Sequence, residues 1–510
     1  MMIDGHAQVA SSRRQKFSLL HSLVAALVLL ATTTGARAAP PGSELVRMAL
    51  VEPAYRSGIF STQPNKRIVA RLTHFDPPLK RVLAKVTVML RGPTGKPLAE
   101  AVLDEVGQEA IFDAAGLAPG RYAVTFGTAA GGTIEQSLIV HVWPPSPSEV
   151  YLDAEGVCFV NGERFFPLGL YHVGNETSSL NKDNEAAGEP ALTEEDTFRM
   201  TAQKGFNTVV TVDTQHQYLD LAAKHGLRVL QFASMGGGEV EQSVRLRKAH
   251  PALLGWSLND EPQLDVIVRY ELLDRYIQCR KFDPYHPVWV AQHSDFVHGV
   301  FTYDILATEH YHWDIMTIGD NGRLSVLPGT GGQVQRARAA VRPGQAVWLV
   351  TQAMGGDVYV VVSPHELRNR HYQAIVGGAR GILIFTYTFG ERMPDGRQFR
   401  LDLHCPDVWE ACGRINAELR GLMPMLLAPG GEYQLEIEGA PDIRYLKREH
   451  EGRLYIIAVN HGPKPQRFEL ELPSNRARAR LVSEDRAIPV KDGRLAHWID
   501  LFGANVYEIE

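Results

Sequence analysis

Between Val150 and Met423 the chain repeats one pattern, a short run of apolar, β-branched residues followed by a segment whose apolar side chains recur with helical spacing. Strands that are apolar on both faces must be covered on both faces, which calls for a parallel sheet under a layer of helices. The runs are Phe165 to Tyr171, Phe206 to Val212, Leu227 to Ala233, Leu253 to Asn259, Pro287 to Gln292, Tyr303 to Glu309, Ala346 to Gln352 and Gly381 to Tyr387. Helical spacing fills most of the gaps, as in Thr193 to Lys204, Tyr218 to His225, Asp265 to Lys281 and Pro364 to Gly377. Eight such units over roughly 270 residues predict a closed (β/α)8 TIM barrel. The alternative, a doubly wound open sheet, lacks its usual glycine-rich fingerprint after a strand.

The flanks have a different period. From Leu45 to Val142 apolar and polar residues alternate in short runs such as Arg67 to Leu72, broken by Gly and Pro. Period two with turn punctuation predicts half-buried antiparallel strands, and this length suits a β-sandwich. Trp143-Pro-Pro-Ser-Pro-Ser-Glu149 reads as a stiff linker. Alternation returns after Leu426, in Arg453 to Asn460 and Gln466 to Leu472. The expected division is a leader over 1–38, a sandwich over 39–147, a barrel over 148–424 and a small all-β domain over 425–510.

The leader expectation rests on Arg13, Arg14 and Lys16 before the apolar run Leu19 to Ala31, with small residues at Ala36 and Ala38. A run this short is marginal for a membrane span and suits a cleaved export signal, with an uncleaved anchor helix as the alternative. Export would place the mature chain in the periplasm or outside the cell, with no membrane span left after cleavage. Removing four basic residues and one acid takes the formal charge from −6 to −9. Such a chain has no basic footprint for nucleic acid. Cys158, Cys279, Cys405 and Cys412 form no CxxC pair and no zinc spacing, so no metal or other cofactor is expected.

Barrel enzymes place their chemistry where strands end, and here those positions are consistently polar. In chain order they are Tyr171 and His172, Asp213 and Gln215, Gln231, then Asn259, Asp260 and Glu261, followed by Gln292 and His293. After them come Glu309, His310, Tyr311, His312 and Trp313, then Gln352, then Tyr387 and Glu391. Carboxylates, amides, imidazoles and aromatic rings in one cup suit a carbohydrate, whose hydroxyls need directional partners and whose ring faces need flat apolar surface. Trp313, beyond a strand end, is the expected platform, whereas Trp256 and Trp289 read as packing residues. Glu261, followed by Pro262, would project into the cup as a proton donor if an apolar wall raised its pKa. It reads equally as an acid in the first turn of the next helix, with Asp260 as cap.

The run Leu254-Gly-Trp-Ser-Leu-Asn-Asp-Glu-Pro262 resembles the strand-four signature of the large clan of retaining TIM-barrel glycosidases that includes β-galactosidases, cellulases and β-glucuronidases. Val160 to Tyr171 is similar to the entry of such barrels, and Gly378 to Tyr387 to their last strand. The resemblance implies a glycosidase with Glu261 as acid/base. The chain departs from the clan in having Asp260 where an Asn precedes the glutamate. It also has Gln352 where the nucleophilic glutamate ends strand seven. An amide cannot form a glycosyl ester, so Glu309 is the expected second carboxylate. The other reading is a sugar-binding protein that kept the cup and lost catalysis.

Overall fold

The computed structural model describes residues 46–75, 85–128, 133–175, 177–211, 215–233, 240–262, 266–294, 296, 299–311, 329–355, 362–473, 476 and 478–510. The expected leader, Asp213, His312 and Trp313 lie outside these residues.

Two compact units make up the chain, and the first takes in most of the described residues up to Val140. It is a β-sandwich. One sheet pairs Val46–Glu52, Arg67–Phe75 and Glu109–Asp113; the other contains Thr133–Val142, Gly120–Thr128, Val86–Arg91 and Pro97–Leu103 in that order. In Val86–Arg91 buried and half-buried residues alternate, as the period-two pattern requires.

The second unit holds the barrel and the carboxyl-terminal sheets. Eight parallel strands close on themselves: β1 Leu168–Tyr171, β2 Thr208–Thr211, β3 Arg228–Phe232, β4 Leu253–Asp260, β5 Val288–Gln292, β6 Ile305–His310, β7 Ala346–Gln352 and β8 Ile382–Phe385. Each lies within or against one of the eight apolar runs. Alternation along a strand sorts side chains between two cores. Tyr171, Leu230, Trp289, Ala307, Trp348, Val350 and Leu383 fill the barrel, while Val229, Trp256, Val290, Leu306 and Leu349 meet the helices; a register shift of β4 against β3 turns Leu254 inward as well.

The helices longer than a single turn are α1 Thr177–Ala187, α2 Glu194–Gln203, α3 Gln217–Lys224, α4 Val240–Arg247, α5 Val266–Phe282, α6 Gly329–Ala340, α7 Pro364–Gly377 and α8 Pro406–Leu426. Helix α7 shows how local sequence sets such an element. Ser363 and Glu366 form a reciprocal capping box, Pro364 occupies the first turn, and Gly378 ends the helix in the left-handed region at φ 94°. The carboxyl-terminal sheets, one of six strands and one of three, span Glu432 to Ile509. Arg368 of α7 binds them by donating to Ala504 O at 2.9 Å, while its other nitrogens clamp Glu418 of α8 at 2.6 and 2.9 Å.

Candidate active site

On β6 the residues Ile305 and Ala307 face the barrel interior, so alternation turns Glu309 inward at the strand's carboxyl end and His310 outward. Glu309 is buried, with 6% of its surface exposed. The Tyr311 hydroxyl donates to Oε1 at 3.2 Å, and Oε2 has no hydrogen-bond partner. Burial disfavours the carboxylate, and Asp260 and Glu261 disfavour it further, so Glu309 keeps its proton well past the usual carboxylate range.

The neighbouring acids come from β4. Its register to β5 shifts between Ser257 and Asp260, a bulge that carries Asp260 opposite Ala291. Glu261 follows with its N–H donating to Ala291 O at 3.1 Å and its backbone in the left-handed region, φ 43°, immediately before Pro262. That conformation is uncommon for a residue with a side chain, and such positions cluster at functional sites. The Glu261 side chain is 37% exposed, and its Oε1 lies 3.9 Å from His293 Nε2. Asp260 reaches solvent at the mouth, but its surroundings still desolvate it and Glu261 adds like charge. Together they push Asp260 up to about 6.

Aromatic rings line the same mouth. Phe385, the last residue of β8, stacks on Tyr311 at 5.6 Å and meets Tyr171 and His172 edge-on at 5.5 and 5.2 Å. The Tyr171 hydroxyl has no hydrogen-bond partner, and burial, then Asp260, Glu309 and Glu261, raise its pKa. His172 Nδ1 lies 3.0 Å from Thr388 O, so that nitrogen carries a proton; burial lowers the pKa and leaves the ring neutral.

Thus Tyr171, His172, Asp260, Glu261, His293, Glu309 and Tyr311 gather at one end of the barrel. Gln352 ends β7 facing inward like Trp348 and Val350, and donates to Met354 O at 3.2 Å. Asn259 is half-buried one place before Asp260. Other expected residues lie elsewhere. By the alternation of β3 and β5, in which Leu230 and Ala291 face inward, Gln231 and Gln292 turn to the helix side, where they donate to Gln215 O and Ser294 O at 2.9 and 3.0 Å. Tyr387 lies past the end of β8 and packs in the outer core against Trp409, ring centres 5.9 Å apart. Glu391 sits on a hairpin, Thr388–Arg392 with Gln398–Arg400. Phe385 was missed by sequence reasoning, although it closes an apolar run at a strand end, the position given weight elsewhere.

One cluster among the described residues has metal-ligand spacing, with donor atoms of His216, Asp220 and His250 within 4.8 Å of one another. His250 Nδ1 accepts the Ala252 N–H at 3.1 Å, so Nε2 carries the proton that faces Asp220 Oδ1 at 3.2 Å. Both nitrogens of His250 are thereby engaged, so it offers no lone pair to an ion.

No protein-family model matches the chain, and no curated protein matches it in sequence. Solved structures are similar in fold. They include the β-glucuronidase of Parabacteroides merdae (11% identity, 91% of this chain and 74% of that one, TM-score 0.36). A family 39 glycoside hydrolase from Bacteroides cellulosilyticus (14%, 84% and 94%, TM-score 0.41) is another. A third is an α-amylase from Geobacillus thermoleovorans (12%, 68% and 98%, TM-score 0.47). The barrel architecture stands on strand pairing alone, whose eight parallel registers close the sheet.

Proposed function

We propose that the chain hydrolyses O-glycosidic bonds with Glu309 and Glu261 as its carboxyl pair. One observation carries the reading: a buried carboxyl with one unpartnered oxygen sits beside two further acids at the carboxyl end of a barrel, under aromatic rings. A proton donor must hold its proton at working pH, and burial of the kind expected at Glu261 falls instead on Glu309. We therefore assign proton donation to the glycosidic oxygen to Glu309. Glu261, more exposed and 3.9 Å from His293 Nε2, attacks the anomeric carbon, which reverses the roles expected from the sequence. Glu261 raises the Glu309 pKa through its charge, so the two acids serve one site. Among the described residues the charges acting on Glu309 are acidic, which favours neutral or amino sugars over uronic acids. On the strength of residues 1–38 the substrate is placed outside the cytoplasm.

Two isosteric variants test the assignment on aryl glycosides of graded leaving-group ability. Glu309→Gln should lose a factor on the order of 100 to 10,000 on poor leaving groups and much less on good ones. Glu261→Gln should lose both alike, with azide restoring turnover. Wild-type rates in Glu309→Gln on an unactivated glycoside would defeat the proposal, and the opposite leaving-group pattern would return the donor role to Glu261. The amide at Gln352 favours the second reading, a sugar-binding protein, which predicts saturable binding by wild type with no turnover on any member of the panel.

A further inference from the structure

On the helix side of β6 and β7, away from the cup, Arg370 of α7 is fully buried. Its Nη1 reaches Thr351 Oγ1 at 3.4 Å, while Nε and Nη2 have no hydrogen-bond partner among the described residues. Among the described residues no carboxylate acts on it, and burial lowers its pKa to about 9. A guanidinium in this position is unfavourable without a counter-charge. The open Nε/Nη2 edge is the planar two-toothed face that takes an oxyanion side-on.

Several groups lie on the same stretch of sheet as Arg370. Thr351 is the register partner of His310 on β6, so Arg370 lies against the same stretch of sheet as His310. His310 Nδ1 is 2.9 Å from Thr330 Oγ1, in the first turn of α6. A Cβ on Gly329 would come within 2.5 Å of His310 Nε2, so the helix begins directly on the imidazole. That first turn reads Gly329-Thr-Gly-Gly332, and its backbone N–H groups have no acceptor within the helix; Gln373 Oε1 takes the one at Gly331, at 3.1 Å. Burial first, then Arg370 and Arg336, push His310 down to about 3, so the ring is neutral. Among the described residues the charged groups here are therefore Arg336 of α6 and Arg370 of α7, both cationic, while Glu309 on the same strand faces the barrel interior.

We infer that Arg370 and the first turn of α6, with His310 between them, hold one small inorganic anion of the phosphate, sulfate or halide kind. The helix amino terminus contributes aligned N–H groups and a positive dipole end, and the arginine supplies the full charge.

The test uses the full chain and thermal unfolding at constant ionic strength, with phosphate, sulfate and chloride each replacing isethionate. At least one of the three should raise the midpoint saturably in wild type, as linkage requires of a ligand bound only by the folded state. Arg370→Gln should lose that response and, without the anion, unfold no earlier than wild type, because it removes an unpaired buried charge. If the variant fails to fold, 31P or 35Cl line broadening and calorimetry on wild type decide: binding at one site per chain supports the inference, and none overturns it. An equal midpoint response in wild type and variant, or no saturable response to any of the three anions, also overturns it, since the chain's own groups would then meet the charge.

Discussion

The barrel buries acids at both of its ends and treats them in opposite ways. Where strands begin, Asp304 receives Arg56 Nε at 3.1 Å, the Tyr276 hydroxyl at 2.9 Å and the Val288 N–H at 2.8 Å. Asp283 receives Trp256 Nε1, His286 Nδ1 and the Tyr285 N–H at 2.7, 2.8 and 2.9 Å; burial alone would raise its pKa, yet these partners hold it below the usual range. Glu149 takes the hydroxyls of Ser61 and Thr62 at 2.7 and 2.6 Å. Where strands end, Glu309 has a single phenol and two acidic neighbours. A carboxylate ringed by donors is a finished structural joint, whereas one left short of partners among like charges stores a proton for use. Geometry without access is no guide. Ser148, His286 and Asp283 line up at 3.0 and 2.8 Å like a nucleophilic triad, but all three are wholly buried in the packed end of the barrel.

The largest effect should come from breaking the finished end. Asp304→Asn leaves the Arg56 guanidinium buried without its counter-charge, at a cost of about 3 to 5 kcal/mol in denaturant unfolding. Turnover per folded molecule should hold, because the pair lies at the opposite end from the acids of the cup. A variant with wild-type stability and lost activity would erase the proposed division between the ends.

A smaller effect of opposite sign is expected at the cup. The folded-state pKa of Glu309 is raised, so the native state binds its proton more tightly than the unfolded chain does. Its contribution to stability is complete below the ordinary glutamate range and is lost as pH rises through the folded value. Glu309→Gln cannot ionise and escapes that loss. It should match wild type at pH 4 and exceed it at pH 8, by about 1 to 3 kcal/mol if the unpartnered carboxyl behaves like other unsatisfied buried groups. Parallel stability curves for the two proteins across that range would show that Glu309 is not desolvated.

Much of this was legible in the sequence, because strands apolar on both faces announce a covered parallel sheet. Strand β7 falls on its expected bounds, Ala346 to Gln352, and Glu309 falls at a strand end as expected. What sequence spacing does not carry is the direction in which each strand exits. Gln231 and Gln292 end their strands with outward parity, and β8 stops at Phe385, which sends Tyr387 to the outer core. The bulge in β4 changes register just before Asp260, and no composition signal marks it. The desolvation expected at Glu261 therefore fell on Glu309, since depth depends on where the chain turns after the strand.

The finest test of the contrast concerns the one partner Glu309 has. Tyr311 donates to Oε1 at 3.2 Å, and a hydrogen bond to a carboxylate favours the charged form. In Tyr311→Phe that bond, of about 0.5 to 1.5 kcal/mol, is gone while the ring stacked on Phe385 remains. Glu309 should then hold its proton to still higher pH. If it is the proton donor, the alkaline limb of kcat/KM moves upward in pH, and the pH at which the stability gap between Glu309 and Glu309→Gln, both in the Tyr311→Phe background, stops widening moves with it. The two readouts must shift together, because one titration governs both. A change in kcat/KM with an unmoved alkaline limb would leave Tyr311 as a packing or substrate-contacting residue and would place the titrating donor somewhere other than Glu309.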